Sequence, residues 1–211
     1  MENIDIKIIG PGEYEDVLKD KKITKMCLAD ACKTCGEMFL GVSPKFKLIL
    51  CYSRKSYDET KGWKTKVWEV GRSNKRSITI FAPSVFKKLT DNQMSFRQVI
   101  MHEVNHVFCK NFVAHAPLWL VEGVACMVDD SEKSYHWKGA PKLDHLYLSV
   151  NYMNRHVKRD VDILEFYRSA YLTTKKIIRI IGISGLIGLL KAYAKNPKKN
   201  HKKLFSAYLS V

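Results

Sequence analysis

Two histidines and a glutamate stand together in the order H-E-x-x-H, as His102, Glu103 and His106. The surrounding residues favour an α-helix, because Ser95 and Gln98 fit a capping box and an apolar stripe follows them. Side chains four residues apart lie on one face of a helix, so the two imidazoles can bind one metal ion. Glu103 lies about 100° around the helix from His102, where it can reach a water molecule on that ion. The motif therefore predicts a metal site with its own general base.

A further acidic residue, Glu122, follows His106 by sixteen positions within the sequence W-L-V-E-G-V-A. Pro117 precedes it and suits the first turn of a helix, where no backbone donor is needed. The apolar residues expected to face the core on this second helix are Leu118, Val121, Ala125 and Val128. With Glu122 as the third protein ligand, a tetrahedral zinc ion keeps one position open, as catalytic zinc sites do. Zinc lowers the pKa of a water in that position from about 16 to about 7, which predicts hydrolytic chemistry.

The pattern as a whole resembles the gluzincin metallopeptidases, and within them the small peptidase-MA-like group called minigluzincins. The motif match covers residues 99–125, and the wider match, over about 45–190, is one of element order. The resemblance implies that His102, His106 and Glu122 bind zinc and that Glu103 is the general base.

Gluzincins also need a group that stabilises the oxyanion of the tetrahedral intermediate, often a tyrosine or histidine on the C-terminal helices. Tyr171 is the candidate, because its context Y-L-T-T-K-K-I-I-R-I-I-G resembles the family's Y-x-x-S followed by an apolar helix that ends in Gly. Tyr167, one turn earlier, is the alternative. Either tyrosine could instead be packed in the core with its hydroxyl bonded to backbone. His115, between the two helices of the motif, is interpreted as an ordinary loop histidine.

Hydrophobic periodicity and turn residues predict a single α+β, zincin-like domain over residues 1–211. Its upper α/β part covers about 1–115 and its lower helical part about 116–211. We expect a small mixed sheet with a backing helix, the H-E-x-x-H helix, the glutamate helix, and then a C-terminal helical subdomain.

The predicted strands are residues 4–9, 45–53, 63–70 and 77–82. Besides the two helices of the motif, the predicted helices are residues 13–40, 85–89, 143–157, 162–181, 185–194 and 201–209. Residues 54–62 and 129–142 are predicted to be loops. The strand at 77–82 comes last before the metal helix, so we expect it to be the sheet edge that borders the substrate cleft.

The formal net charge is +15, from 36 Lys and Arg against 21 Asp and Glu, and it favours anionic partners. No nucleic-acid motif is found, and the basic residues are spread along the chain. The N-terminal residues lack the features of a secretory signal, and the longest apolar run, residues 177–190, is interrupted by Arg179 and three glycines. With six cysteines and no leader, these features predict a cytoplasmic protein.

Three of the cysteines, Cys27, Cys32 and Cys35, form the pattern C-x4-C-x2-C. A thiolate metal site or a redox pair is one interpretation. The other, which we favour, is that they lie on a helix packed against the sheet, where free cysteine behaves as a small hydrophobic residue.

We therefore expect a zinc-dependent metallopeptidase that acts on a peptide or protein substrate. Endopeptidase activity is favoured over exopeptidase activity, because no acidic Gly-rich motif of the kind that binds a free amino end precedes the metal helix. The alternative is a latent or non-catalytic zinc-binding protein of gluzincin fold that acts as a basic binding module. A third interpretation is a membrane or nucleic-acid binder with a structural zinc. Neither the substrate preference nor the oligomeric state is indicated.

Overall fold

A computed structural model describes residues 4–113, 116–139 and 160–195 of the chain. The chain divides into two compact units, Met1–Asn111 and Phe112–Val211. The first contains a small mixed sheet with helices, and the described part of the second is helical, so the predicted α+β class is confirmed. The predicted helices at 143–157 and 201–209, together with His115, lie outside the described residues.

The first unit is built around four strands. Its elements are β1 (Ile4–Ile9), α1 (Tyr14–Met38), β2 (Phe46–Cys51), α2 (Arg54–Lys61), β3 (Gly71–Ser73), β4 (Ser77–Phe81), α3 (Pro83–Leu89) and α4 (Phe96–Phe112). The strand order is β1-β2-β4-β3, with β1, β2 and β4 parallel and β3 antiparallel to β4. The central strands β2 and β4 supply the core side chains Leu48, Leu50, Ile78 and Ile80, all fully buried.

Helix α1 is the predicted backing helix. Its buried stripe consists of Asp20, Thr24, Leu28, Ala31 and Cys35, at the spacing of one helix face. The Asp20 carboxylate accepts hydrogen bonds from the Tyr52 hydroxyl (2.9 Å) and from the Ser84 backbone N–H (3.0 Å). A buried carboxylate needs such donors, and these bonds connect α1 to the end of β2 and the start of α3.

The prediction that 77–82 forms the edge of the sheet is wrong. Strand β4 pairs with β2 through Lys47 and Ser77, and with β3 through Ser73 and Ile78. The chain returns through a tight turn, where the Asn74 side chain accepts hydrogen bonds from the backbone N–H groups of Arg76 (2.7 Å) and Ser77 (2.9 Å). This turn places β3 outside β4, so β3 and β1 are the two edge strands of the described sheet.

The prediction of a strand at 63–70 after a loop at 54–62 is also wrong. Residues 54–61 form α2, with a capping box between Ser53 and Ser56 at its start and Gly62 at φ 75° at its end. Residues 63–70 form an irregular segment. Arg54 donates to the backbone oxygens of Glu69 (2.8 Å), Val67 (3.0 Å) and Lys66 (3.3 Å). Because one guanidinium satisfies these carbonyls, the segment needs no strand partner.

The second unit contains α5 (Leu118–Val128), α6 (Ser131–Tyr135) and α7 (Asp160–Lys195) among its described residues. Gly182 has φ 69° and ψ 177°, which breaks α7 into two helical segments close to the two helices predicted there. The predicted loop at 129–142 is wrong where α6 forms. The inward face predicted for α5 is wrong except at Ala125: Trp119, Leu120, Val124 and Ala125 are buried, whereas Leu118, Val121 and Val128 are partly exposed.

Helix α7 also bears on the question of a membrane. The stretch Ile163–Lys195 is long and apolar enough to cross a bilayer by length and composition alone. Its side chains Phe166, Ala170 and Thr174 are fully buried within the protein, which is equally typical of a helix in a protein core.

Candidate metal centre

Helix α4 presents the two histidines of the motif together. The predicted capping box is confirmed, since the Gln98 side chain accepts from the Ser95 backbone N–H (2.9 Å) and the Ser95 hydroxyl accepts from the Gln98 backbone N–H (3.2 Å). Further along the helix, the imidazole centroids of His102 and His106 lie 4.6 Å apart, with their planes nearly perpendicular. His106 is buried and His102 is partly exposed. Two imidazoles on successive turns with one face open to solvent are suited to hold one divalent ion.

Glu103 is held beside the edge strand. Its side chain is buried (7 % exposed), and its Oε2 atom has no hydrogen-bond partner within the described residues. A Cβ atom added to Gly71 of β3 would lie 2.9 Å from Glu103 Oε1 and 3.0 Å from Val99 Cγ1. A side chain at this position would therefore have to displace Glu103 or Val99, and glycine lets β3 run this close to the carboxylate. A buried carboxylate oxygen left unsatisfied is costly, and functional sites are where such groups are retained.

Two side chains of α2 lie in the electrostatic field of Glu103. Burial, and then the Glu103 charge, raise the pKa of the Tyr57 hydroxyl, which is fully buried and without a hydrogen-bond partner in the part of the chain described here. Burial, with the charge of Arg72, lowers the pKa of Lys61 to about 8, although Glu103 acts in the opposite direction. The Lys61 Nζ atom lies 5.2 Å from the centre of the Tyr57 ring. The charge of Glu103 thus acts on a phenol and on an ammonium group of α2.

Glu122 lies on α5 in the second unit. Its side chain is 8 % exposed, and Cys126 (1 %) and Asp129 (2 %) follow it at the spacing of one helix face. The Asp129 carboxylate accepts a hydrogen bond from the Ser131 backbone N–H (2.6 Å) and another from the Ser131 hydroxyl. This face of α5 therefore carries two buried carboxylates, of which the sequence analysis identified only the first.

Gly123, next to Glu122, brings α5 close to α7. A Cβ atom at this position would lie 2.5 Å from the carbonyl oxygen of Ala170 and would overlap the Thr174 hydroxyl. Because a backbone carbonyl cannot give way as a flexible side chain can, glycine is required for this packing. The glycine of W-L-V-E-G-V-A is thus needed for the packing of α5, the helix that carries Glu122, against α7.

Replacing Gly123 with Ala is expected to lower the free energy of unfolding by about 3 kcal/mol, the upper part of the usual range for overpacking. Urea unfolding followed by circular dichroism measures the loss. Gly188→Ala is the matched control, because Gly188 lies in α7 with nothing within 4 Å of an added Cβ. That control should be neutral or stabilising by up to about 1 kcal/mol. Equal stability of Gly123→Ala and the parent chain would contradict the packing described.

Tyr171, the predicted oxyanion donor, lies on α7 in a small cluster. It packs with Cys126 and Trp137, and its hydroxyl donates a hydrogen bond to the Glu132 carboxylate. Lys175 Nζ donates to the same carboxylate (2.8 Å and 3.0 Å). Burial, and then the hydrogen bond to Glu132, raise the pKa of Tyr171, so its hydroxyl stays protonated and able to donate. The hydroxyl bonds to a side chain rather than to backbone.

The structure therefore groups the predicted residues by unit. His102, Glu103 and His106 lie together on α4 of the first unit, whereas Glu122 and Tyr171 lie on α5 and α7 of the second. The sequence analysis did not predict that Gly71 lies against Glu103, that Tyr57 and Lys61 lie in its electrostatic field, or that Glu132 binds Tyr171. The folding of the chain brings these residues together, and no spacing along the sequence indicates which of them will meet.

The cysteines of the C-x4-C-x2-C pattern lie on α1 as thiols rather than disulfides. Cys35 is fully buried, as is Cys51 on β2. Burial raises the pKa of Cys32 to about 11 and of Cys35 to about 12. A thiol with a raised pKa is neither a ready metal ligand nor a ready nucleophile, so the interpretation as packing residues is favoured.

Comparison with protein-family models, with curated proteins and with solved structures finds no match to this chain. Function therefore has to be inferred from the side chains themselves.

Proposed function

We propose that this chain is a zinc-dependent metallopeptidase, with endopeptidase activity favoured. The observation that carries the proposal is on α4, where two imidazoles lie on successive turns. The residue between them in the sequence, Glu103, has a buried carboxylate with one oxygen that has no partner among the described residues. Paired imidazoles are typical of a site in which histidines bind a metal ion. A carboxylate oxygen without a partner is what a general base needs in order to accept a proton.

His102, His106 and Glu122 are the proposed zinc ligands. The donor set fits zinc, because two imidazoles and one carboxylate are the protein ligands of a known class of catalytic zinc sites. Glu122 comes from the second unit, and its place at the same ion is part of the proposal. When bound, zinc supplies a Lewis acid that polarises the scissile carbonyl and activates water.

Glu103 is the proposed general base. Its Oε2 atom takes a proton from the attacking water as the bond from the water oxygen to the carbonyl carbon forms. Glu103 then gives this proton to the leaving nitrogen as the carbon–nitrogen bond breaks. Glu103 is buried, so bulk solvent does not compete for its Oε2 atom. In the proposed mechanism this oxygen accepts from a water or a substrate bound at the site.

An extended substrate is proposed to pair with β3, which replaces β4 in the role expected from the sequence. Strand β3 is one of the two edge strands of the described sheet, and it is the one whose Gly71 lies directly against Glu103. An exposed strand edge offers unpaired backbone groups to an added strand. A peptide on this edge would run past the carboxylate that has to reach its scissile bond.

Tyr171 is proposed to donate to the oxyanion, for which its hydroxyl has to leave the Glu132 carboxylate. Replacing it with Phe should lower kcat by about 10²–10³, as expected for the loss of a lone donor, and should leave the zinc content unchanged. Steady-state kinetics on a cleaved peptide and metal analysis measure the two quantities. Tyr167→Phe is the matched control on the same helix. If Tyr167→Phe shows the large loss and Tyr171→Phe does not, the donor is Tyr167.

The experiment that tests the proposed function is cleavage of a broad peptide library by the full chain, followed by mass spectrometry. Cleavage should occur at internal bonds, cease when a chelator removes the metal, and return when zinc is added. Peptides with blocked ends should be cleaved as well, since an endopeptidase needs neither terminus. A chain that binds zinc but cleaves no peptide would contradict the proposal and favour a latent or non-catalytic binding protein.

A further inference from the structure

We propose that Lys61 and Arg72 form a carboxylate-binding subsite beside Glu103, so that the substrates of this protein are acidic peptides. The inference rests on the proposed peptidase function, because it assigns the substrate class of the same site.

The first observation is that Arg72 lies on the proposed substrate edge and that Lys61 lies in the field of both Arg72 and Glu103. Lys61 is the last residue of α2, and its charge interacts with both Glu103 and Arg72. Arg72 is the central residue of β3, and its side chain lies on the face of the strand opposite to the one that Gly71 turns to Glu103. An extended peptide paired with β3 has side chains on both faces, so one of them would lie beside Arg72 while the backbone passes the base.

The second observation is that neither cation is in an ion pair within the described residues. Lys61 and Arg72 make no hydrogen bond there either, and each instead lies against an aromatic ring. The Lys61 ammonium is 5.2 Å from the centre of the Tyr57 ring, and the Arg72 guanidinium is 4.8 Å from that of Trp63. Two like charges in one place are unfavourable, and the low pKa of Lys61 reflects burial and this repulsion. A bound carboxylate would relieve the repulsion, which an apolar ligand could not.

The third observation is that the segment between them is held in place. Arg54 donates to three carbonyls in residues 66–69, and Asp58 accepts from the Thr65 backbone N–H (3.0 Å). Gly62 reverses the chain directly after Lys61. These bonds fix residues 65–69 to α2, and β3 is fixed by its pairing with β4. The backbone that carries the two cations is therefore preorganised, which lowers the cost of binding an anion.

The chemistry of the ligand is that of a carboxylate, supplied either by an Asp or Glu side chain or by the free C-terminus of the substrate. A planar carboxylate can receive the parallel donors of the guanidinium and one donor of the ammonium group. The net charge of +15 adds a general attraction for acidic polypeptides.

The test uses pairs of labelled peptides that differ only in Glu against Gln, with binding to the full chain measured by fluorescence anisotropy. The chain is kept free of zinc so that no peptide is consumed. We expect the Glu peptide to bind about tenfold tighter, as one hydrogen-bonded charge pair allows. The preference should fall to near unity in Lys61→Met and in Arg72→Gln. It should persist in Lys55→Met, which removes an exposed charge from the same helix.

The outcomes distinguish the two sources of the carboxylate, and they distinguish failure of the subsite from failure of the peptidase function. If amidation of the C-terminus abolishes the preference, the terminal carboxylate is the ligand; if the preference survives amidation, a side chain is. Equal binding of Glu and Gln peptides, a preference that Lys55→Met also loses, or equal competition by an oligonucleotide would each overturn the subsite. A Glu preference without zinc-dependent cleavage would instead overturn the peptidase function and leave the subsite standing.

Discussion

Replacing Glu103 with Gln is expected to lower kcat by about 10²–10⁴, the usual contribution of a general base, while zinc stays bound. The carboxamide keeps the shape of the side chain beside Gly71, but it cannot take a proton from the attacking water. Because Glu103 is not among the three proposed ligands, the metal content should match that of the parent chain. Steady-state kinetics and metal analysis on the same preparation measure the two effects.

The control for this experiment is Glu59→Gln, which makes the same chemical change at an exposed position of α2. It should retain both activity and zinc. Loss of zinc in Glu103→Gln, or full activity on a peptide that the parent chain cleaves, would show that Glu103 is not the base.

Replacing Glu122 with Ala is expected to remove both zinc and activity. One of three protein ligands disappears, and even the loss of an outer partner of a zinc ligand costs about 10–100-fold in affinity. We therefore expect the zinc affinity to fall by more than about 100-fold. Competition with a chelating dye measures the affinity.

Asp129→Asn is the informative comparison, because Asp129 is the other buried carboxylate on the same face of α5. With Glu122 as the ligand, Asp129→Asn keeps the zinc and Glu122→Ala loses it. The reverse pattern would assign the third ligand to Asp129 and remove Glu122 from the site.

The elements predicted well from the sequence are those whose signals are local. Helix α4 has its capping box at Ser95, and α1 has a long periodic stripe that ends near Gly41. Strands β1 and β2 are bounded by glycine and proline. In each case the residues that decide the structure lie within the element or next to it.

The elements predicted poorly depend on partners far along the chain. Residues 63–70 alternate as a strand would, but Arg54 binds their carbonyls and no strand pairs with them. Which strand lies at the sheet edge depends on the turn at Asn74. The three residues of β3 before that turn, Gly-Arg-Ser, have a weak strand signal of their own. Helix α5 is apolar nearly all round, so periodicity could not indicate which face packs against α7.

The same distinction applies to the candidate site. Two of the proposed ligands and the proposed base share one short motif, and Glu122 follows sixteen positions later, which is why the sequence could indicate them. The role of Gly71 follows only from its approach to Glu103, and that of Glu132 from its contact with Tyr171. Both contacts join residues more than thirty positions apart, and no pattern in a single sequence indicates such a pair.

The central claim is that His102, His106 and Glu122 bind one zinc ion. The most direct measurement is an anomalous difference map from zinc-soaked crystals, with data recorded on both sides of the zinc absorption edge. We expect a single strong peak bound by the imidazoles of His102 and His106 and by the carboxylate of Glu122, at about 2.0–2.2 Å. No peak at the two histidines, or a peak that Glu122 does not contact, would contradict the claim.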